Sequence, residues 1–166
     1  MFDEVLQANR RYAETFALRG LSPQAARGFA LVTCIDTRIE PLGALGLVPG
    51  DAKVLRNAGA RVTPDVLRSL VLATHLLGVR DIAVMQHTQC AVAGQSDEQL
   101  RSLLPASVAS AADGVELWAM PDPDQALAGD VATLRGCGAV AAGVEVEGWR
   151  YDVETGLVTR LIPSSA

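Results

Sequence analysis

An α/β fold with a mainly parallel central sheet flanked by helices is what this sequence predicts. Two observations carry that expectation. Short apolar runs suited to strands buried on both faces alternate with longer stretches of helical periodicity. The alternation runs through most of 166 residues, a length that suits one domain, taken as 1–166. With 49% hydrophobic and 20% charged residues, the chain can bury a sizeable core and lacks the composition of a disordered protein.

From Asp3 to Leu18, Val5, Leu6, Tyr12 and Phe16 sit among charges at near-helical spacing. An amphipathic helix should therefore open the chain and end at Gly20-Leu21-Ser22-Pro23. The continuous apolar run Phe29 to Thr33 suits a fully buried strand, and Cys34-Ile35-Asp36-Thr37-Arg38 lies where it should end. A short helix through Leu45 and a turn at Gly46 and Pro49-Gly50 lead to a second strand, Lys53 to Arg56, which runs into Asn57-Ala58-Gly59-Ala60. Thr63 is a fitting N-cap with Pro64 in the first helical position, and Val66, Leu67, Leu70, Val71, Thr74 and Leu77 form a helical stripe ending at Gly78. Ile82 to Met85 is the next buried strand, followed at once by Gln86-His87-Thr88-Gln89-Cys90. Beyond it come a polar helix from Asp97 to Leu104, a strand from Val115 to Ala119 and a helix from Asp124 to Arg135. A terminal strand pair, Gly148 to Val153 and Leu157 to Ile162, joins at Glu154-Thr155-Gly156.

Charge and composition exclude several function classes. Lys plus Arg total 14 against 19 Asp plus Glu, a net charge of -5 that gives no electrostatic footprint for phosphate backbones, so nucleic acid is not an expected partner. Aromatic residues are 4% of the chain, too few for a stacking platform, which favours a small polar or gaseous ligand. The longest apolar stretch, Leu70 to Val79, is broken by Thr74, His75 and Gly78 and falls short of the ~18–20 residues of a membrane span. Asp3, Glu4, Arg10, Arg11 and Glu14 make the first residues unlike a secretory signal, and a cytoplasmic location is expected. The three cysteines, Cys34, Cys90 and Cys137, are odd in number and widely spaced, which points to metal binding, catalysis or burial instead of a disulfide framework.

The chemistry concentrates at two strand ends. Cys34, Asp36 and Arg38 are alternate residues, so an extended chain there would place all three side chains in one row. A helix beginning near Thr88 would let His87 and Cys90 face one point. Open α/β sheets place ligand sites at the C-terminal ends of their strands, and neighbouring strands ~4.8 Å apart would bring the two thiols and the imidazole onto one ion. Two thiolates and an imidazole suit Zn²⁺, and three protein ligands leave the fourth position open, as in catalytic zinc sites. Asp36 is close enough in sequence to fill that position, and Arg38 is close enough to hold Asp36 away from it through a bidentate ion pair. The sequence thus contains both an open site and its plug.

These residues resemble the β-class carbonic anhydrases. Cys-x-Asp-x-Arg, here Cys34, Asp36 and Arg38, followed by His-x-x-Cys, here His87 and Cys90, looks like that family's zinc and catalytic signature. Arg56-Asn57-Ala58-Gly59-Ala60 and the helix from Asp65 to Leu70 are similar to its connecting segment, and Gly148 to Leu157 looks like the final hairpin of its short members. The resemblance implies a zinc lyase, with one Zn²⁺ per chain, that interconverts carbon dioxide and bicarbonate by attack of zinc-bound hydroxide. It implies Cys34, His87 and Cys90 as metal ligands and Asp36 with Arg38 as the catalytic dyad. Asp36 would join the metal as a fourth ligand only in a closed state. It further implies a homodimer or a tetramer of dimers, and a substrate site touched by the backbone amide of Ala91 and by Gly59. Where the family usually has aspartate before the second cysteine and glycine after it, this chain has Gln89 and Ala91. Neither change removes a ligand, but the pair bears on pocket shape and substrate preference.

Two other readings share these residues. A relative acting on carbonyl sulfide or carbon disulfide would use the same zinc site, and a structural zinc module would have Asp36 closing it permanently. Other motifs read as structure. His75 lies in an apolar helix stripe without partner residues, and Cys137 is a buried or loop thiol. Gly136-Cys137-Gly138-Ala139-Val140-Ala141 matches a dinucleotide pattern formally but follows a helix instead of a strand. Asp122 and Asp124 flank Pro123 as turn or cap residues.

Overall fold

The computed structural model describes residues 1–112 and 114–164. In chain order the elements are α1 (Phe2–Glu14), β1 (Phe29–Cys34), α2 (Pro41–Ala44), β2 (Ala52–Asn57), α3 (Pro64–Leu76), β3 (Asp81–His87), α4 (Asp97–Ser102), α5 (Ala106–Ala109), α6 (Pro123–Gly136), β4 (Glu145–Tyr151) and β5 (Val158–Ile162). The strands form one sheet in the order β2-β1-β3-β4-β5. The first four are parallel, and β5 returns antiparallel to β4 through the turn after Tyr151. This is the expected α/β class with its terminal strand pair.

The sheet is central because β1 and β3 are apolar on both faces, with burial continuous from Ala30 to Cys34 and from Ile82 to His87. On one face Ala30, Val32, Ile82, Val84 and Val146 meet Val66, Leu70 and Ala73 of α3 and Leu127, Val131 and Leu134 of α6. On the other, Leu31, Ala83 and Met85 pack with Ile39, Ala60 and Tyr151. Helix α3 starts as its sequence predicts: the Thr63 hydroxyl accepts the Val66 amide and Pro64 occupies the first turn. Asp122 caps α6 by accepting the amides of Asp124 and Gln125. Helix α1 contrasts with both, since none of its residues is buried.

One expected strand is absent: the segment from Val115 to Ala119 runs as irregular chain, with only an isolated bridge between Ala93 and Met120 nearby. Side chains take the backbone groups that a ladder would need. Arg61 donates to the carbonyls of Trp118 (2.9 Å) and Ala119 (3.1 Å), Asp97 accepts the Ala119 amide, and Trp118 adopts a positive φ of 54°. Arg61 is itself fixed by Asp130, with Nε 2.7 Å from Oδ2.

Leu70 is fully buried between α3 and the sheet. Leu70→Ala should lower unfolding stability by about 3 kcal/mol through lost burial and a residual cavity, read from urea denaturation.

Candidate metal centre

β1 and β3 are direct neighbours, with Thr33 opposite Met85 and the Thr33 hydroxyl bonded to the Met85 carbonyl at 3.0 Å. Their C-terminal ends therefore present Cys34 and His87 side by side. Cys90 follows after one turn, and Cys34 Sγ, a His87 ring nitrogen and Cys90 Sγ all lie within 4.8 Å of one another. The three residues singled out as ligands thus converge.

The chain reaches this arrangement by turns, not by the extended row and helix expected from spacing. β1 stops at Cys34, and the Ile39 amide closes a turn on the Asp36 carbonyl. Arg56, at the end of β2, clamps that turn: Nε donates to the Cys34 carbonyl (2.8 Å), Nη2 to that of Asp36 (2.7 Å) and Nη1 to that of Ile39 (3.2 Å). After His87 no helix starts. The Thr88 amide is taken by the Tyr151 carbonyl (2.9 Å) and Gln89 turns back through a φ of 56°, which swings Cys90 inward. Gly59 supports Cys34 from the other side, its amide 3.3 Å from Sγ. Its φ of 79° favours glycine, and an added Cβ would press on Val92 and Met120 at 3.1 Å.

The donor set fits zinc. His87 Nδ1 faces the Thr88 carbonyl at 2.8 Å, which makes it the protonated nitrogen and leaves the Nε2 lone pair free. Nε2 is buried and lacks a hydrogen-bond partner, an arrangement that costs free energy unless a ligand takes that lone pair. The Cys34 thiol is held well below its usual range by sharing a proton with Cys90. Burial opposes this, while His87 and the amides of Gly59 and Asp36 reinforce it. Cys34 is thus poised as the thiolate that a metal binds.

Asp36 sits beside this cage, with Oδ2 3.8 Å from His87 Nε2. Arg38 grips it with Nε to Oδ1 at 2.9 Å and Nη2 to Oδ2 at 2.8 Å, and the Arg38 amide also donates to Oδ1. These contacts hold the Asp36 carboxyl well below the ordinary carboxylate range. The outer edge of Arg38 rests on Gln89, with Nη1 3.1 Å from Oε1 and Nη2 3.2 Å from the backbone oxygen. Ala91 follows Cys90 at the exposed rim. Sequence reasoning assigned no role to Arg56, or to Gln89 as a partner of Arg38. The cue for Arg56 was its place at the end of the strand that turned out to neighbour β1. His75 and Cys137 lie outside the cage: His75 Nε2 meets the Ala139 carbonyl at 3.0 Å, and Cys137 caps α6.

Because Arg56 fixes the backbone that carries Cys34, Arg56→Met should weaken zinc affinity about 10- to 100-fold with the far-ultraviolet circular dichroism retained, measured by chelator competition.

Known proteins resemble this chain over nearly its whole length. The carbonic anhydrase family profile matches residues 29–122. Beta-carbonic anhydrase 1 of Mycobacterium tuberculosis is 30% identical, over 97% of this chain and 98% of that protein. A carbon disulfide hydrolase of Acidianus is 31% identical over 93% of this chain and 88% of its own length. Among solved structures, carbonic anhydrase from Streptococcus mutans superposes with a TM-score of 0.88 at 34% identity, covering 96% of each chain. The profile match and the near end-to-end relatives agree with the cysteine–histidine cage built at the β1 and β3 ends, and this chain belongs to the β-carbonic anhydrase family of enzymes.

Proposed function

We propose that this chain catalyses the reversible hydration of carbon dioxide to bicarbonate, with one Zn²⁺ per chain held by Cys34, His87 and Cys90. The observation that carries the proposal is the ionised Asp36 carboxylate, gripped by Arg38, 3.8 Å from the unpartnered Nε2 of His87. Held by these three residues, zinc would supply a Lewis acid able to make water nucleophilic near neutral pH. Cys34 and Cys90 bring two negative charges that offset the ion's own, so a nearby proton acceptor gains importance. In this reading Asp36 would accept a proton on a carboxylate oxygen, its orientation fixed by Arg38. Gly59 is assigned to the substrate side of the cage, where its amide faces Cys34 Sγ at 3.3 Å and its missing side chain lets Val92 and Met120 pack close. The Ala91 backbone amide is assigned to the substrate's oxygen at the rim.

Hydrolysis of carbon disulfide or carbonyl sulfide is the second reading, favoured by the identity to the Acidianus hydrolase. A permanently closed structural site is disfavoured by the bidentate grip of Arg38 on Asp36, which a structural fourth ligand does not need.

We further propose a cytoplasmic homodimer, or a multiple of dimers, in which a second copy covers α1. Phe2, Val5, Leu6 and Tyr12 on this helix are each more than half exposed, an apolar stripe that a monomer would leave in water. Among the described residues no helix is long and apolar enough to cross a membrane, and the three cysteines are free.

Stopped-flow measurement on zinc-loaded protein should show carbon dioxide hydration that disappears in Cys90→Ser. Asp36→Asn should lower kcat by about 10²- to 10⁴-fold with zinc retained. Zinc-loaded protein that leaves carbon dioxide untouched but releases sulfide from carbon disulfide would transfer the assignment to the second reading. Light scattering should give a dimer or larger assembly that Leu6→Asp shifts toward monomer.

A further inference from the structure

Beyond the ligands and the Asp36–Arg38 pair, a chain of contacts runs outward from the cage to the tip of the β4–β5 hairpin. Arg38 uses Nε and Nη2 on Asp36, and turns Nη1 and Nη2 to the side-chain and backbone oxygens of Gln89. Gln89 Nε2 donates to Glu154 Oε1 at 2.6 Å. The orientation of this amide is dictated by its neighbours. Arg38 can only donate and Glu154 Oε1 is the acceptor, so the Gln89 oxygen faces Arg38 and its nitrogen Glu154. An amide satisfies both partners at once, whereas a carboxylate at position 89 would face Glu154 with like charge and compete with Asp36 for the guanidinium.

Glu154 is held in turn. Asp152 Oδ1 accepts the amides of Glu154 (2.8 Å) and Thr155 (3.1 Å), and the Val153 amide donates to the Thr88 hydroxyl at 3.1 Å. Two adjacent hairpin residues therefore brace the two residues between the ligands His87 and Cys90. The left-handed backbone of Gln89, uncommon for a residue with a side chain, is kept by contacts on both sides.

We propose that Gln89 and Glu154 are positioning residues: they lock the outer edge of Arg38 so that its inner edge keeps Asp36 beside the metal and off it. This rests on the metal-site reading above and adds to it. Gln89 and Glu154 are exposed, so each bond is weak alone. Their effect comes from orientation and should be modest in size.

The test is the rate at which zinc-loaded protein surrenders its metal to a chromophoric chelator, a readout that does not depend on the substrate. Gln89→Ala loosens Arg38 and frees Asp36 to join the ligand set, so zinc release should slow about three- to tenfold, with kcat lowered and KM unchanged. Glu154→Ala should act in the same direction, and Glu154→Gln, which keeps an acceptor oxygen for Gln89, should restore most of the difference. In an Asp36→Ala background, Gln89→Ala should leave the release rate unchanged. Unchanged release in Gln89→Ala alone, or faster release with or without Asp36, overturns the proposal, because Gln89 would then do nothing or merely stiffen the ligand turn. The metal-site reading fails on a separate measurement, the zinc content of the unaltered protein, and absence of zinc there overturns both.

Discussion

The parallel pairing of β1 with β3 is the contact on which the rest of the site depends. It brings Cys34 beside His87 from distant parts of the chain, and Cys90 reaches the same point only because β3 fixes where its turn begins. The chain leaves β1 toward β2 on one side and later lays β3 on the other, so the cage forms at the place where the strand order reverses. Crevices of open α/β sheets lie there because the connections on either side run in opposite directions and leave the strand ends uncovered. The price is a non-local contact, since the three side chains meet only where β1 and β3 are paired.

Around that contact the site is graded from dry to wet. His87 and Cys34 are buried, Asp36 is largely covered, Arg38 is 43% exposed at its side chain, and Gln89 lies at the surface. Metal ligation belongs at the dry end, where an unpartnered ring nitrogen is costly and a bound ion relieves it. The ion pair sits where water can reach one side of it, so Arg38 can keep a charged Asp36 without the desolvation penalty of a buried pair. β1, β2 and β3 supply the rigid end of this gradient, and turns supply the rest.

Much of the site was legible in the sequence because its chemistry is carried by rare residue types at strand ends. Two cysteines, a histidine and an Asp-x-Arg pair stand out in an apolar chain, and the buried runs beginning at Phe29 and Ile82 place them. Local conformation was less legible. Spacing suggested an extended row at Cys34 and a helix at Thr88, but Arg56 captures the carbonyls after Cys34 and the Tyr151 carbonyl captures the Thr88 amide. The segment from Val115 to Ala119 reads as a strand by composition and is claimed instead by Arg61 and Asp97. Each miss is a long-range side-chain or strand contact overriding a local preference, which no window of neighbouring residues contains.

The turn from Asp152 to Gly156 shows what such contacts demand of the length of a loop. Hairpin tips are where proteins ordinarily accept inserted residues, since little packs against them. Here one more residue between Val153 and Glu154 would draw one brace away from Thr88 or the other from Gln89. An inserted residue is therefore better accommodated in a stretch such as α4, which has no buried residue, than at this exposed tip.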